Sequence, residues 1–130
     1  MTESLYTYIL DHTPESPARQ MCRQQTAEVQ GSHMQISPEQ GAFLALMVKL
    51  MSATLVIEVG TFTGYSSLAM AEALPPHGRL IACDVDEKTM AIAREFWIQG
   101  GVADQVRTGR GKIERERERE GERGREGEKV

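Results

Sequence analysis

The chain has 130 residues, 40% apolar, 26% charged and 5% aromatic, with a formal net charge of −4; that is the length of one domain. No apolar stretch approaches the roughly 20 residues that cross a bilayer, and Cys22 and Cys83 make no disulfide framework. The charge is uneven: residues 1–106 carry 12 acidic and 6 basic side chains, residues 107–130 carry 7 and 9, and an acidic body argues against a groove for nucleic-acid phosphates.

Met-Thr-Glu-Ser-Leu at the start lacks the positive and then apolar pattern of a signal peptide. A reduced, cytoplasmic setting without membrane partners is therefore expected. Leu5, Tyr6, Ile9 and Leu10 form a short apolar stripe that predicts a first helix, interrupted at Thr13-Pro14. Ser16-Pro17 reads as an N-cap followed by proline at the first helical position. The helix it opens has a thin apolar face of Met21, Cys22 and Val29, as on a surface helix. Gly31-Ser32-His33 reads as a loop. Ser37-Pro38-Glu39-Gln40 repeats the start signal, with Gln40 where a capping box needs it. The next helix is the most apolar in the chain, through Phe43, Leu44, Leu46, Met47, Val48, Leu50 and Met51, and should pack deep against a sheet.

The period then changes. Leu55–Val59 is a β-branched, nearly continuous apolar run, the pattern of a parallel strand buried on both faces. Gly60-Thr61-Phe62-Thr63-Gly64 is a turn, Tyr65 to Leu74 has helical composition, and Pro75-Pro76-His77-Gly78 ends it. Arg79 to Val85 reads as a second strand in which Cys83 is a small buried side chain, and Glu87 to Gln99 as a further helix closed by Gly100-Gly101. This is a βαβα unit, which requires parallel strands and right-handed crossovers. A third strand is expected to start at Val106-Arg107. The Arg/Glu/Gly repeat that follows has nothing to bury and is expected to be disordered. The expected division is thus a body at 1–106 and a low-complexity tail at 107–130.

The chemistry concentrates at the carboxyl end of the first strand, in Glu58-Val-Gly60-Thr61-Phe-Thr-Gly64-Tyr65-Ser66. Ligands of doubly wound folds sit there. Glycines let backbone approach a ligand, and the N–H groups of a helix start suit a carboxylate or phosphate. Asp84, 24 positions beyond Gly60 at the end of the second strand, is placed to accept ribose hydroxyls. A dinucleotide site wants G-x-G-x-x-G, whereas this turn is G-x-x-x-G. Glu58 would repel a pyrophosphate and attract an ammonium or sulfonium, which favours S-adenosylmethionine over a nicotinamide dinucleotide. Taken singly, Glu58 could be a paired strand-end acid and Tyr65 ordinary packing, and Asp86 is the better cap for the helix after it. His12, His33 and His77 read as loop residues, not ligands.

Three stretches together carry a closer likeness: Met34-Gln-Ile36-Ser-Pro-Glu-Gln-Gly41, Glu58 to Ser66, and His77-Gly-Arg-Leu-Ile-Ala-Cys-Asp84. They resemble the cation-dependent O-methyltransferases of the caffeoyl-CoA and catechol type, from about Leu5 to Val106. The resemblance implies a Rossmann-like methyltransferase fold with N-terminal helices, cut after the second or third parallel strand. It implies S-adenosylmethionine as cofactor, with Glu58, Gly60 and Thr61 at its methionine end, Tyr65 and Ser66 at its carboxylate, and Asp84 on its ribose. Met34 and Ile36 would belong to a segment closing over it. In this family a divalent metal such as Mg²⁺ gathers a phenolic or catechol-like acceptor, using ligands from later strands. Residues 107–130 offer no pattern to mount those ligands, so no metal or catalytic residue is assigned. Methyl transfer by the chain alone is expected to be very weak. A non-catalytic donor-binding or regulatory fragment that pairs with a full-length relative is the second reading. A free edge on the first strand would invite association, including homo-oligomers.

Overall fold

The computed structural model describes residues 1–109; the expected disorder of the Arg/Glu/Gly repeat lies outside these residues. Two helices, α1 (Glu3–Asp11) and α2 (Pro17–Thr26), lead through a short 3₁₀ turn at Ser32–Met34 into α3 (Pro38–Leu50). Then come β1 (Leu55–Val59), α4 (Tyr65–Ala73), β2 (Arg79–Cys83), α5 (Glu87–Gln99), a second 3₁₀ turn at Ala103–Gln105, and β3 (Val106–Gly109). The three strands are parallel in the order β1-β2-β3, with Val56 opposite Leu80 and Leu80 opposite Val106. The βαβα unit read from the sequence is therefore present, and the third strand runs on to Gly109.

Because the strands are added in one direction, right-handed crossovers put both α4 and α5 on the same face of the sheet. That face carries Leu80, Ala82 and Val106, all buried. Above it Leu68, Met90, Ala93, Phe96 and Trp97 complete the core. Among the described residues nothing covers the opposite face, where Leu55, Ile57 and Val59 are 57%, 62% and 86% exposed. The expectation of burial on both faces of β1 is thus corrected: Leu55, Ile57 and Val59 form an uncovered apolar face, Val56 and Glu58 lie on the covered one, and among the described residues the strand is at the sheet edge.

Helix α3 also departs from expectation. It packs on α4 and not deep against the sheet, burying only Gly41 and Val48. At Gly41 an added Cβ would stand 2.9 Å from the Tyr65 ring, so glycine sets that close approach. Phe43, Leu46, Leu50 and Met51 remain exposed. Ser37 sits at the N-cap position without a side-chain cap bond, so the expected capping box is not made. In α2 the buried face is Ala18, Cys22 and Thr26, four residues apart, with Met21 exposed; the helix is a packing element against α4 and α5. Ser16 caps it as expected, accepting from the Arg19 N–H. Cys83 is half-buried, not buried, and β2 ends there, leaving Val85 exposed. His33 lies in the first 3₁₀ turn, not an open loop. Among the described residues no helix is long and apolar enough to cross a membrane.

Candidate functional site

The carboxyl end of β1 delivers Glu58 onto the covered face of the sheet, opposite Ala82, where it is 8% exposed. The chain then turns sharply. Gly60 (φ +89°), Phe62 (φ +53°) and Gly64 (φ +91°) all lie in the left-handed region, which L-residues other than glycine enter only at a cost. The turn is fastened at both ends. Gly60 donates its N–H to the Cys83 carbonyl at 2.8 Å, and Gly64 donates to the Thr61 carbonyl at 3.1 Å. Glycine at 64 lets α4 start directly against α5, since a Cβ there would stand 2.7 Å from that of Ala93. At Gly60 an added Cβ would meet nothing within 4 Å. That side of the turn is open.

The two acids differ. Asp84 accepts four backbone N–H groups: Thr61 and Phe62 on Oδ2, each at 2.8 Å, and Val85 and Asp86 on Oδ1, at 2.7 and 3.0 Å. Burial alone would raise its pKa; the donors Phe62, Asp86, Thr61 and Val85 outweigh that and hold it below the ordinary carboxylate value. Glu58 is pushed the other way. Burial raises its pKa, the hydroxyls of Ser66, Thr61 and Ser67 pull back without offsetting it, and the nearby Asp84 charge adds to the rise. Ser66 donates to Glu58 Oε1, while Oε2 is buried with no partner. Thr61, 2% exposed, likewise has an unpartnered hydroxyl.

Facing the turn is the segment Met34-Gln35-Ile36. Between the two lies a hollow of about 60 Å³ walled by Met34, Gln35 and Ile36 on one side and by Gly60, Thr61 and Ser66 on the other. Met34, Ile36, Gly60, Thr61, Tyr65 and Ser66 are thus brought together; Glu58 joins through Ser66, and Asp84 grips the turn at Thr61 and Phe62. Tyr65 borders the hollow, yet its hydroxyl donates to Glu15, which also takes Arg23 Nη2 at 2.8 Å. A ligand there would meet the first-turn N–H groups of α4, which have no intrahelical acceptor, and not the phenol. Asp86 caps α5 by accepting from the Lys88 N–H at 2.9 Å, as expected.

Gln35 was not singled out by the sequence; a polar residue between two apolar ones gave no signal. Its Oε1 is buried and unpartnered. Two larger surface hollows, about 520 Å³ beside β3 and about 490 Å³ at the amino end of β1, are walled by other residues. Among the described residues none of the unpartnered buried polar atoms belongs to their walls. Among the described residues no group of three or more His, Cys, Asp or Glu side chains gathers to hold a metal ion.

Comparison with known proteins matches residues 11–119 to a family described as O-methyltransferase. Tricin synthase 1 of Oryza sativa subsp. japonica is 40% identical over 115 residues, which are 85% of this chain and 46% of that protein. Caffeoyl-CoA O-methyltransferase 2 of Petunia hybrida is 36% identical over 108 residues, 81% of this chain and 45% of that protein. Among solved structures, the O-methyltransferase TomG from Streptomyces achromogenes in complex with SAM superposes with a TM-score of 0.73 at 29% identity, over 83% of this chain and 51% of that one. The chain spans about half the length of the relatives it matches.

Proposed function

The chain belongs to the O-methyltransferase family, and from that premise we propose that residues 1–106 bind S-adenosylmethionine across the carboxyl ends of β1 and β2, with its amino-acid end at the hollow between Met34–Ile36 and the glycine turn. We propose further that they serve as the donor-binding part of an enzyme that methylates a phenolic or catechol-like hydroxyl. One observation carries the reading. A buried carboxylate oxygen of Glu58 and a buried hydroxyl of Thr61 are left without partners beside a glycine that opens onto free space. Buried polar atoms are rarely left so, and a cationic donor would satisfy both.

When bound, S-adenosylmethionine supplies a methyl group activated by a positive sulfur. The chain's own residues would hold it in place. Glu58 offers negative charge to the ammonium end, and Ser66 and the start of α4 face the carboxylate. Asp84 can receive ribose hydroxyls by exchanging its bonds to Thr61 and Phe62. Met34 and Ile36 close the opposite wall. Holding donor and acceptor in line would supply much of the rate. Among the described residues none is assigned to a metal or to the acceptor.

Calorimetric titration with S-adenosylhomocysteine and with NAD tests the reading. The expected result is saturable binding of the first and none of the second; equal binding of both, or of neither, overturns it. Assay of the same protein with a catechol and Mg²⁺ then reads transfer itself, and donor binding with weak turnover is the expected outcome.

A further inference from the structure

Three buried polar atoms without partners lie at or next to the hollow. Glu58 Oε2 belongs to the end of β1, behind the Ser66 that borders the hollow; Thr61 Oγ1 belongs to the glycine turn and Gln35 Oε1 to the facing segment, both of which wall it. The first two residues are more than nine-tenths buried. Their chemistry is lopsided. Two are pure acceptors, one of them a carboxylate, and the third is a hydroxyl that can accept or donate. A phosphate or carboxylate would be repelled by such a set, and a neutral amino group would leave the charge of Glu58 uncompensated. A primary ammonium, with three N–H donors and a positive charge, matches the chemistry of this set.

We propose that Gln35 is a binding residue for the α-ammonium group of the donor, its side-chain carbonyl acting as a second acceptor alongside Glu58. The proposal rests on the S-adenosylmethionine reading above and assigns one more residue to that site. The backbone around Gln35 is held in place. Gly31 turns the chain in the left-handed region (φ +82°), and the Gln35 N–H donates to the Ser32 carbonyl at 3.1 Å. The side chain is therefore presented from a 3₁₀ turn that packs beside the hollow, flanked by Met34 and Ile36. An ammonium bound between Glu58 and Gln35 would tie this segment to the glycine turn through the ligand. The donor's amino acid would then be recognised separately from its nucleoside.

That separation gives the test. The full chain is titrated with S-adenosylhomocysteine and with 5′-methylthioadenosine, which keeps the nucleoside and thioether but lacks the amino acid. Gln35→Leu is expected to weaken S-adenosylhomocysteine about tenfold or more, the scale of a lost hydrogen bond to a charged group. Its affinity for 5′-methylthioadenosine should stay at the wild-type value. Gln35→Glu, which keeps an acceptor, should retain S-adenosylhomocysteine binding. Equal weakening of both ligands by Gln35→Leu would show that the residue acts through the fold and would overturn the proposal, as would no change in either. A wild-type chain that binds 5′-methylthioadenosine but not S-adenosylhomocysteine would overturn this assignment alone. One that binds neither would remove the cofactor reading beneath it.

Discussion

Gly60 and Gly64 share a backbone conformation, and replacing each by alanine should have opposite consequences. Their φ values, +89° and +91°, impose on any L-residue a similar conformational cost, roughly 1–2 kcal/mol. Beyond that they differ. A Cβ at 64 would lie 2.7 Å from Ala93 Cβ, 3.0 Å from Ala93 Cα and 3.2 Å from Trp97 Nε1. Backbone and a packed indole cannot move aside cheaply, and overpacking of this kind adds about 1–3 kcal/mol. Gly64→Ala should therefore cost roughly 2–5 kcal/mol of stability and Gly60→Ala only about 1–2. In a domain of this size each kcal/mol lowers Tm by about 4–8 °C. Binding should rank the other way, because the new methyl at 60 enters the open space to which we assign the donor's methionine end. Thermal melts monitored by circular dichroism, with S-adenosylhomocysteine titrations well below each Tm, decide the matter. Equal melting temperatures for the two variants, or wild-type affinity in Gly60→Ala, would refute the reasoning.

Two further outcomes are expected. The face and edge of β1 left uncovered among the described residues should drive concentration-dependent self-association, and Ile57→Lys, at a position 62% exposed, should shift sedimentation profiles toward monomer with little change in Tm; an unchanged profile would count against the edge as the contact. Glu58 has a folded pKa raised above its unfolded value of 4.5, so the folded chain binds its proton more tightly and this contribution to stability, complete at low pH, is lost as pH rises through the folded pKa. Glu58→Gln should accordingly raise Tm at pH 7 and flatten that loss while weakening S-adenosylhomocysteine binding, and a lowered Tm at pH 7 would contradict the assignment.

Local signals were legible where local physics decides. Ser16 and Asp86 cap their helices as their residue types suggest, and Glu87–Gln99 begins and ends where its apolar spacing and Gly100 place it. The string from Glu58 to Ser66 carried both the turn and the family. What escaped notice depended on neighbours. The buried stripe of α2 is Ala18, Cys22 and Thr26, small residues whose value lies in letting helices approach; Thr26 reaches Thr63 through a 2.7 Å hydroxyl contact that hydropathy does not register. In α3, apolar composition said how much surface prefers burial but not what covers it, and Phe43 and Leu50 are exposed. Spacing and family likeness mark Asp84 as a ligand acid. That its four acceptor sites are already filled by backbone N–H groups follows from the path of the turn, which the sequence does not encode in any single residue.

The contrast between the two acids bears on how a donor could enter. Asp84 has nothing to gain from a ligand that merely replaces its partners, since hydrogen bonds exchanged one for another change the free energy little. Receiving a ribose there would release the N–H groups of Thr61 and Phe62, which the ligand or water must then satisfy. Glu58 is in the reverse position: one oxygen is bound by Ser66, the other by nothing, and its burial disfavours the charge it needs. A cation arriving beside it removes an existing penalty without breaking a bond. The driving force for binding should therefore come from the amino-acid end of the donor, with the nucleoside end supplying fit. This is the order of importance that comparing S-adenosylhomocysteine with 5′-methylthioadenosine measures.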